Sequence, residues 1–193
     1  VNLLIGSRFE TADFSIEQHD GRIRVDSRGR ALTLRVRMPR FADGFGLSID
    51  GRPLDYEAED GYAAVTRVWA DTVSLAGMDR LTRVFANPRV AAERGNVAVM
   101  DGPFLYCAEG IDNGGDVDFT IAKEPRLTRT ADGVTGRRQG GGTFKLIPYY
   151  KWCRRATGRS EDDRMAVWFR QEDMRAEDEL AREIGENLYG DYR

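Results

Sequence analysis

Histidine is almost absent from this chain and cysteine is scarce: His19, Cys107 and Cys153 are the whole stock among 193 residues. Zinc sites need three or four clustered Cys, His or carboxylate ligands at regular spacing, and no such motif exists here. A Ser-His-Asp or Cys-His arrangement would have to use His19. That residue sits in the polar stretch Glu17-Gln18-His19-Asp20-Gly21 and reads as a solvated turn. Two cysteines make no disulfide framework, so both read as reduced thiols in core or near-core surroundings. No apolar run approaches the ~20 residues of a membrane-spanning helix. No secretory leader is recognisable, and the expectation is a cytoplasmic protein. Neither sign of charge dominates: 29 basic and 32 acidic side chains are interspersed, with a net charge of −3. That balance leaves no footprint for nucleic acid or for a membrane surface. There is no Gly-x-Ser-x-Gly elbow. The glycine cluster Arg137–Thr143 (RRQGGGT) is not a phosphate loop, since Lys145 has the wrong spacing and a strand pattern follows. It reads as a loop.

What the chain does have is period-two alternation. Leu32, Leu34, Val36 and Met38 alternate with Thr33, Arg35 and Arg37, and Phe45, Leu47 and Ile49 repeat the pattern before the turn-forming Asp50-Gly51. Further short strands are expected over Tyr62–Trp69, Thr72–Leu75 and Leu81–Phe85. Near residue 96 the pattern changes to continuous apolar runs, Val97–Met100 and Phe104–Ala108, broken at Asp101-Gly102-Pro103. Pro103 removes a donor and belongs at a bend, bulge or strand start. Val117, Phe119 and Ile121, then Phe144 and Leu146, then Met165–Phe169 continue the series. The gaps between strands are too short for crossover helices. The fold expected is all-β: two antiparallel β-sandwich, jelly-roll-like domains in series over 1–90 and 91–175, with a short helical tail over 176–193. The second core should hold Phe104, Tyr106, Val117 and Phe119. In the tail Leu180, Ile184 and Leu188 form a narrow helical stripe, Asp178 and Arg182 are spaced to pair, and Gly185 weakens the helix.

Carboxylate pairs are the remaining route to acid–base chemistry. Glu109, Asp112 and Asp116 follow a strand into the glycine-rich Glu109–Gly115, where a wet turn is the plain alternative to catalysis. Trp69, Trp152, Trp168, Tyr149 and Tyr150 could stack against sugars, although aromatics in such folds more often fill the core. The candidate carbohydrate contacts are Trp152, Tyr149, Tyr150, Glu109 and Asp112. No catalytic residue and no metal ligand is assigned.

Several segments together resemble one family. Arg35-Val36-Arg37-Met38-Pro39 with Ile49-Asp50-Gly51-Arg52 is similar to a strand ending in arginine-x-proline followed by a short hairpin, with Asp50 in place of the common asparagine. Tyr62–Val73 (YAAVTRVWADTV) resembles a further block, lacking the glycine usual before Asp71. Val97–Asn113 (VAVMDGPFLYCAEGIDN) is the most specific. Leu146-Ile147-Pro148-Tyr149-Tyr150 and Met165-Ala166-Val167-Trp168 resemble the closing block. The family is glycoside hydrolase family 127, the β-L-arabinofuranosidase-like proteins. The resemblance reaches to about residue 170 and implies two β-sandwich domains that follow a catalytic (α/α)6 barrel. It also implies that the zinc-bound cysteine nucleophile, its glutamate and its companion cysteines lie in that barrel, so Cys107 is not the nucleophile. The expected role is a non-catalytic portion supporting the upstream catalytic domain, its main partner. This segment itself needs no cofactor. Self-association as a homodimer and carbohydrate binding, as a binding module, are the alternatives.

Overall fold

The computed structural model describes residues 1–42, 44–122, 127–155, 157–171, 177–185 and 189–192, and they are almost entirely strand and turn. The chain is all-β and divides into two compact units, Val1–Arg80 and Leu81–Arg193.

The first unit strings seven strands along one hydrogen-bonded sheet: β1 (Ser7–Glu10), β2 (Ser15–His19), β3 (Arg22–Arg37), β4 (Gly46–Ile49), β5 (Arg52–Leu54), β6 (Glu57–Glu59) and β7 (Tyr62–Ala76). Their order is β1-β2-β3-β7-β4-β5, with β6 also on β7. Three tight hairpins use the same dipeptide. Asp20-Gly21, Asp50-Gly51 and Asp60-Gly61 all carry positive φ at both residues, the condition of a two-residue type I′ turn whose twist suits the flanking strands. The sheet curls around a core of Ile23, Val25, Leu34, Val36, Leu47, Ala63, Trp69 and Val73. The curl has an identifiable device. Asp26 pairs with Ala70 and Ala31 with Val68, five steps along β3 against two along β7, so β3 carries three extra residues. An odd insertion reverses which side chains face inward. Odd-numbered Ile23 and Val25 are buried before it, and even-numbered Leu34 and Val36 after it. Ser27, itself buried, fixes the bulge: its hydroxyl donates to the Arg30 carbonyl (2.6 Å) and accepts from the Trp69 amide (2.8 Å). The Trp69 indole donates to Leu32 O at 2.7 Å, so this tryptophan is a core residue with its polar atom satisfied.

The second unit is built from β8 (Leu81–Ala86), β9 (Asn96–Asp101), β10 (Phe104–Glu109), a one-turn helix α1 (Gly110–Asn113), β11 (Thr120–Ile121), β12 (Thr128–Arg129), β13 (Val134–Arg137), β14 (Thr143–Pro148), β15 (Met165–Ala166), β16 (Phe169–Gln171), α2 (Glu177–Ile184) and β17 (Tyr189–Tyr192). The main path is β11-β16-β9-β10-β14-β13-β12, with β8 joining β9 and β17 joining β8. All pairings are antiparallel except β11 with β16, which run parallel. Phe119 stacks on both Phe144 and Phe169, each with ring centroids 5.0 Å apart, at the middle of the core.

Three expectations change. The unit boundary lies at Arg80/Leu81 and not near residue 90, because β8 pairs with β9 from Leu81↔Asp101 to Phe85↔Val97 and so belongs to the second sheet. The tail is not only helical: α2 ends at Ile184, where Gly185 turns with φ 59°, and β17 then returns to pair with β8. Leu180 and Ile184 are buried in the second core, whereas Leu188 and the side chain of Asp178 lie outside the described residues. Tyr106, Val117 and Phe119 are buried, but Phe104 is 51% exposed. It lies just past the Gly102-Pro103 turn, where β10 has not yet entered the core. That turn closes the β9–β10 hairpin with φ 52° at Gly102, and Pro103 there forfeits no ladder bond. Finally, no helix among the described residues is long and apolar enough to cross a membrane.

Candidate carbohydrate-contact site

Strand β14 ends at Pro148, which pairs with Tyr106 of β10. The chain then tightens into a 3-10 turn over Tyr149–Lys151, and the Trp152 amide closes it on Tyr149 O at 3.0 Å. A turn this tight cannot tuck three large rings within four residues under one sheet, and they emerge. Tyr149, Tyr150 and Trp152 are 41%, 55% and 39% exposed. Tyr149 and Trp152 lie nearly parallel, with centroids 5.9 Å apart and planes 19° from each other. Tyr150 leans on the exposed Phe104 (5.8 Å), and the Lys151 ammonium sits over the Tyr150 ring.

Behind the rings lies a chain of alternating charges. Glu109, at the end of β10, is buried; its Oε1 accepts from the Cys153 amide at 2.9 Å and its Oε2 from Arg155 Nη2. Asp112, in α1, accepts from both terminal nitrogens of Arg155 and from Lys145 Nζ at 3.3 Å. Lys145 also reaches Asp132 at 2.7 Å. Asn113 ties the layers together: its amide donates to Glu109 O and Lys145 O, both at 2.9 Å, and its Oδ1 accepts the Lys145 amide at 3.0 Å. Beside this network a shallow depression of about 210 Å3 is bounded by Asp132, Ile147, Lys151, Arg154 and Arg155.

The electrostatics follow from these contacts. Burial alone would raise the Asp112 carboxyl, but the hydrogen bond and charge of Arg155, with those of Lys145, hold it below its ordinary value. The bond from Lys145 lowers Asp132, and the same bond raises Lys145. Arg155 is raised by its bonds to Asp112 and then Glu109. Cys107 is buried on β10, where desolvation pushes its thiol up to about 12.

Sequence reading gave Glu109 and Asp112 a wet glycine-rich loop. The structure instead makes them buried or nearly buried partners of Arg155, because β10 runs directly into α1 and the 153–155 segment closes over both. All five candidate contacts are brought into one region, Glu109 and Asp112 beneath and Tyr149, Tyr150 and Trp152 outside. Asp116 lies apart, paired with Arg138 at 2.6 Å. Cys153 is exposed in the left-handed region at φ 63°, not near-core. Sequence reasoning missed Arg155, Lys145 and Asp132, and no local signal could have found them. Arg155 lies 46 and 43 residues from Glu109 and Asp112, Lys145 lies 33 from Asp112, and Asp132 joins only through Lys145. His19 is the exposed last residue of β2, 2.9 Å from Asp20. Among the described residues no group of three or more His, Cys, Asp and Glu is placed to hold a metal ion.

Residues 8–76 match the β-L-arabinofuranosidase GH127 middle domain, and residues 81–170 match the glycoside hydrolase family 127 C-terminal domain. The chain belongs to glycoside hydrolase family 127. The two matches meet at the Arg80/Leu81 division of this GH127 chain. A non-reducing end β-L-arabinofuranosidase of Bifidobacterium longum subsp. longum is 30% identical, over 64% of this chain and 24% of that protein. A GH127 β-L-arabinofuranosidase from Geobacillus stearothermophilus T6 has the same fold with TM-score 0.74 and 26% identity, covering 88% of this chain and 33% of that one. Another GH127 β-arabinofuranosidase gives TM-score 0.67 at 21% identity, over 89% of this chain and 34% of its own, a likeness of fold. The GH127 chain described here therefore spans about a quarter to a third of the length of these relatives.

Proposed function

We propose that the two units are a non-catalytic β portion of a GH127 glycoside hydrolase, a scaffold that supports a catalytic domain carried elsewhere in the same protein. The observation that carries this reading is the shared guanidinium of Arg155. Glycosidase acid–base chemistry needs one carboxyl held protonated near neutral pH, opposite a second one, in a pocket that grips the ring. Here the two inward carboxylates are bridged by one cation, and Asp112 is moved toward ionisation, the wrong direction for a proton donor. The zinc–cysteine chemistry implied by the family resemblance finds no ligand set among the described residues, with one thiol buried on a strand and the other exposed. No step is derived through zinc.

The test is turnover of an aryl β-L-arabinofuranoside and a panel of other aryl glycosides, with and without added zinc. The expected result is none from this chain, and activity from a longer form that includes the remaining two-thirds of a GH127 protein. Turnover by this chain that survives repurification and is lost in Glu109→Gln would defeat the reading.

A further inference from the structure

The scaffold reading leaves the exposed rings unused. Three aromatic side chains within four residues, each more than a third exposed, stand on a turn that is fixed from below. The turn is anchored at one end by the β10–β14 pairing at Pro148. At the other it is held by the Cys153 amide on buried Glu109 and by Arg155 across Glu109 and Asp112. We propose that this face is a saccharide-binding site, which takes one or two units of a neutral oligosaccharide. The C–H face of a sugar ring is apolar and flat enough to lie on an indole or phenol. The near-parallel Tyr149 and Trp152 rings offer such faces without having to reorganise. The hydroxyls around the sugar's rim need charged or planar hydrogen-bonding groups within a few ångströms of the ring. The adjoining depression supplies them in Lys151, Arg154 and the Asp132 carboxylate. Lys145 fixes Asp132 as an acceptor, while Lys151 and Arg154 line the depression and the Lys151 ammonium links it to the Tyr150 ring.

Rigidity separates this face from a casual exposed tyrosine. Glu109 is 5% exposed, and both its oxygens are committed to the segment that carries the rings. A buried carboxylate costs stability unless fully paired, so building the turn on one fixes ring positions that fold stability alone does not require. The competing occupant is another part of the parent GH127 protein, which would use the same rings as an interdomain contact.

Isothermal titration of this chain with arabinohexaose, xylohexaose and maltohexaose, with tryptophan fluorescence recorded alongside, tests the proposal. At least one should bind saturably in the sub-millimolar to millimolar range. Trp152→Ala should weaken that binding roughly tenfold or more, while Trp152→Phe keeps most of it. Thermal unfolding midpoints matching the unsubstituted chain would show that the variants fold. No saturable heat with any of the three sugars at ~10 mM overturns the proposal. So does binding indifferent to both Trp152→Ala and Tyr149→Ala. Binding by the short chain that disappears in the longer protein, with Trp152 shielded from acrylamide quenching there, also overturns it and assigns the face to an interdomain contact. Glycoside turnover is scored separately: its appearance would end the scaffold reading and leave this one standing.

Discussion

Gly110 has no room for a methyl group. A Cβ there would fall 1.9 Å from the backbone oxygen of Glu161, and backbone cannot swing aside as a side chain can. Gly110→Ala should therefore cost about 1–3 kcal/mol or more, read as a fall in the urea midpoint at unchanged slope. Asp112 gives a pH prediction. Its folded-state value lies below the unfolded one, so its ion pairs stabilise fully above the unfolded value, near ~4, and lose that contribution as pH falls through the lower folded value. Asp112→Asn should be less stable than the parent from about pH 5 to 7, and the gap should close as pH falls through the lowered folded-state value. A gap independent of pH would mean that packing, and not charge, holds the site. The thiols should differ sharply. At pH 8 iodoacetamide should alkylate exposed Cys153 quickly and leave Cys107 untouched until the chain unfolds, since burial and a raised pKa both suppress its thiolate. Mass measurement of native and denatured samples would count one and then two adducts. At this scale the sequence exposed the residue types but not their roles. Tyr149, Tyr150 and Trp152 were recognisable as candidates because they cluster in one short segment. The cations that turn Glu109 and Asp112 from candidate acids into anchors come from distant segments and were invisible.

Among the elements, the β3 bulge and α2 make separable contributions. Ser27→Ala removes the acceptor for a buried Trp69 amide and the donor to Arg30, and should destabilise by about 1–3 kcal/mol. Leu180→Ala, at the buried face of α2, should cost about 2–5 kcal/mol. Thermal or urea unfolding measures both, and a Leu180→Ala effect near zero would show α2 to be undocked in solution. The alternating stretch Leu32–Met38 was legible because a half-buried strand writes its two faces directly into the sequence. The first half of the same strand was not, since its alternation rests on only two apolar residues, Ile23 and Val25, and the inserted residues shift the phase before Leu32. Nor was β17, whose residues (YGDY) carry no two-sided pattern and whose pairing with β8 spans the whole second unit.

For the whole molecule, each sheet is drawn from one unit and each unit has its own core. A chain with that organisation should separate into parts that fold alone. Residues 1–80 expressed by themselves should show a β-type circular dichroism spectrum and a cooperative, low-stability thermal transition, as expected for a core of that size. A random-coil spectrum would show that the first unit depends on the second. The all-β class was legible from short strands and turn dipeptides. The boundary was not, because Leu81–Ala86 reads as one more short strand in the series and only its partner, β9, assigns it to the second unit.

The three-residue insertion in β3 also has a consequence for which substitutions this chain can tolerate. In an uninterrupted strand, tolerance to polar replacement should rise and fall with one fixed phase along its length. Here the rhythm must reverse between Ser27 and Ala31: permissive positions are even-numbered before the bulge and odd-numbered after it, whereas facing β7 keeps one phase throughout. A saturation scan of residues 22–37 scored by soluble yield would record that reversal. The same scan on a chain with the three extra residues deleted would show one unbroken rhythm along β3, because Leu34 and Val36 then fall in the same phase as Ile23 and Val25 against β7.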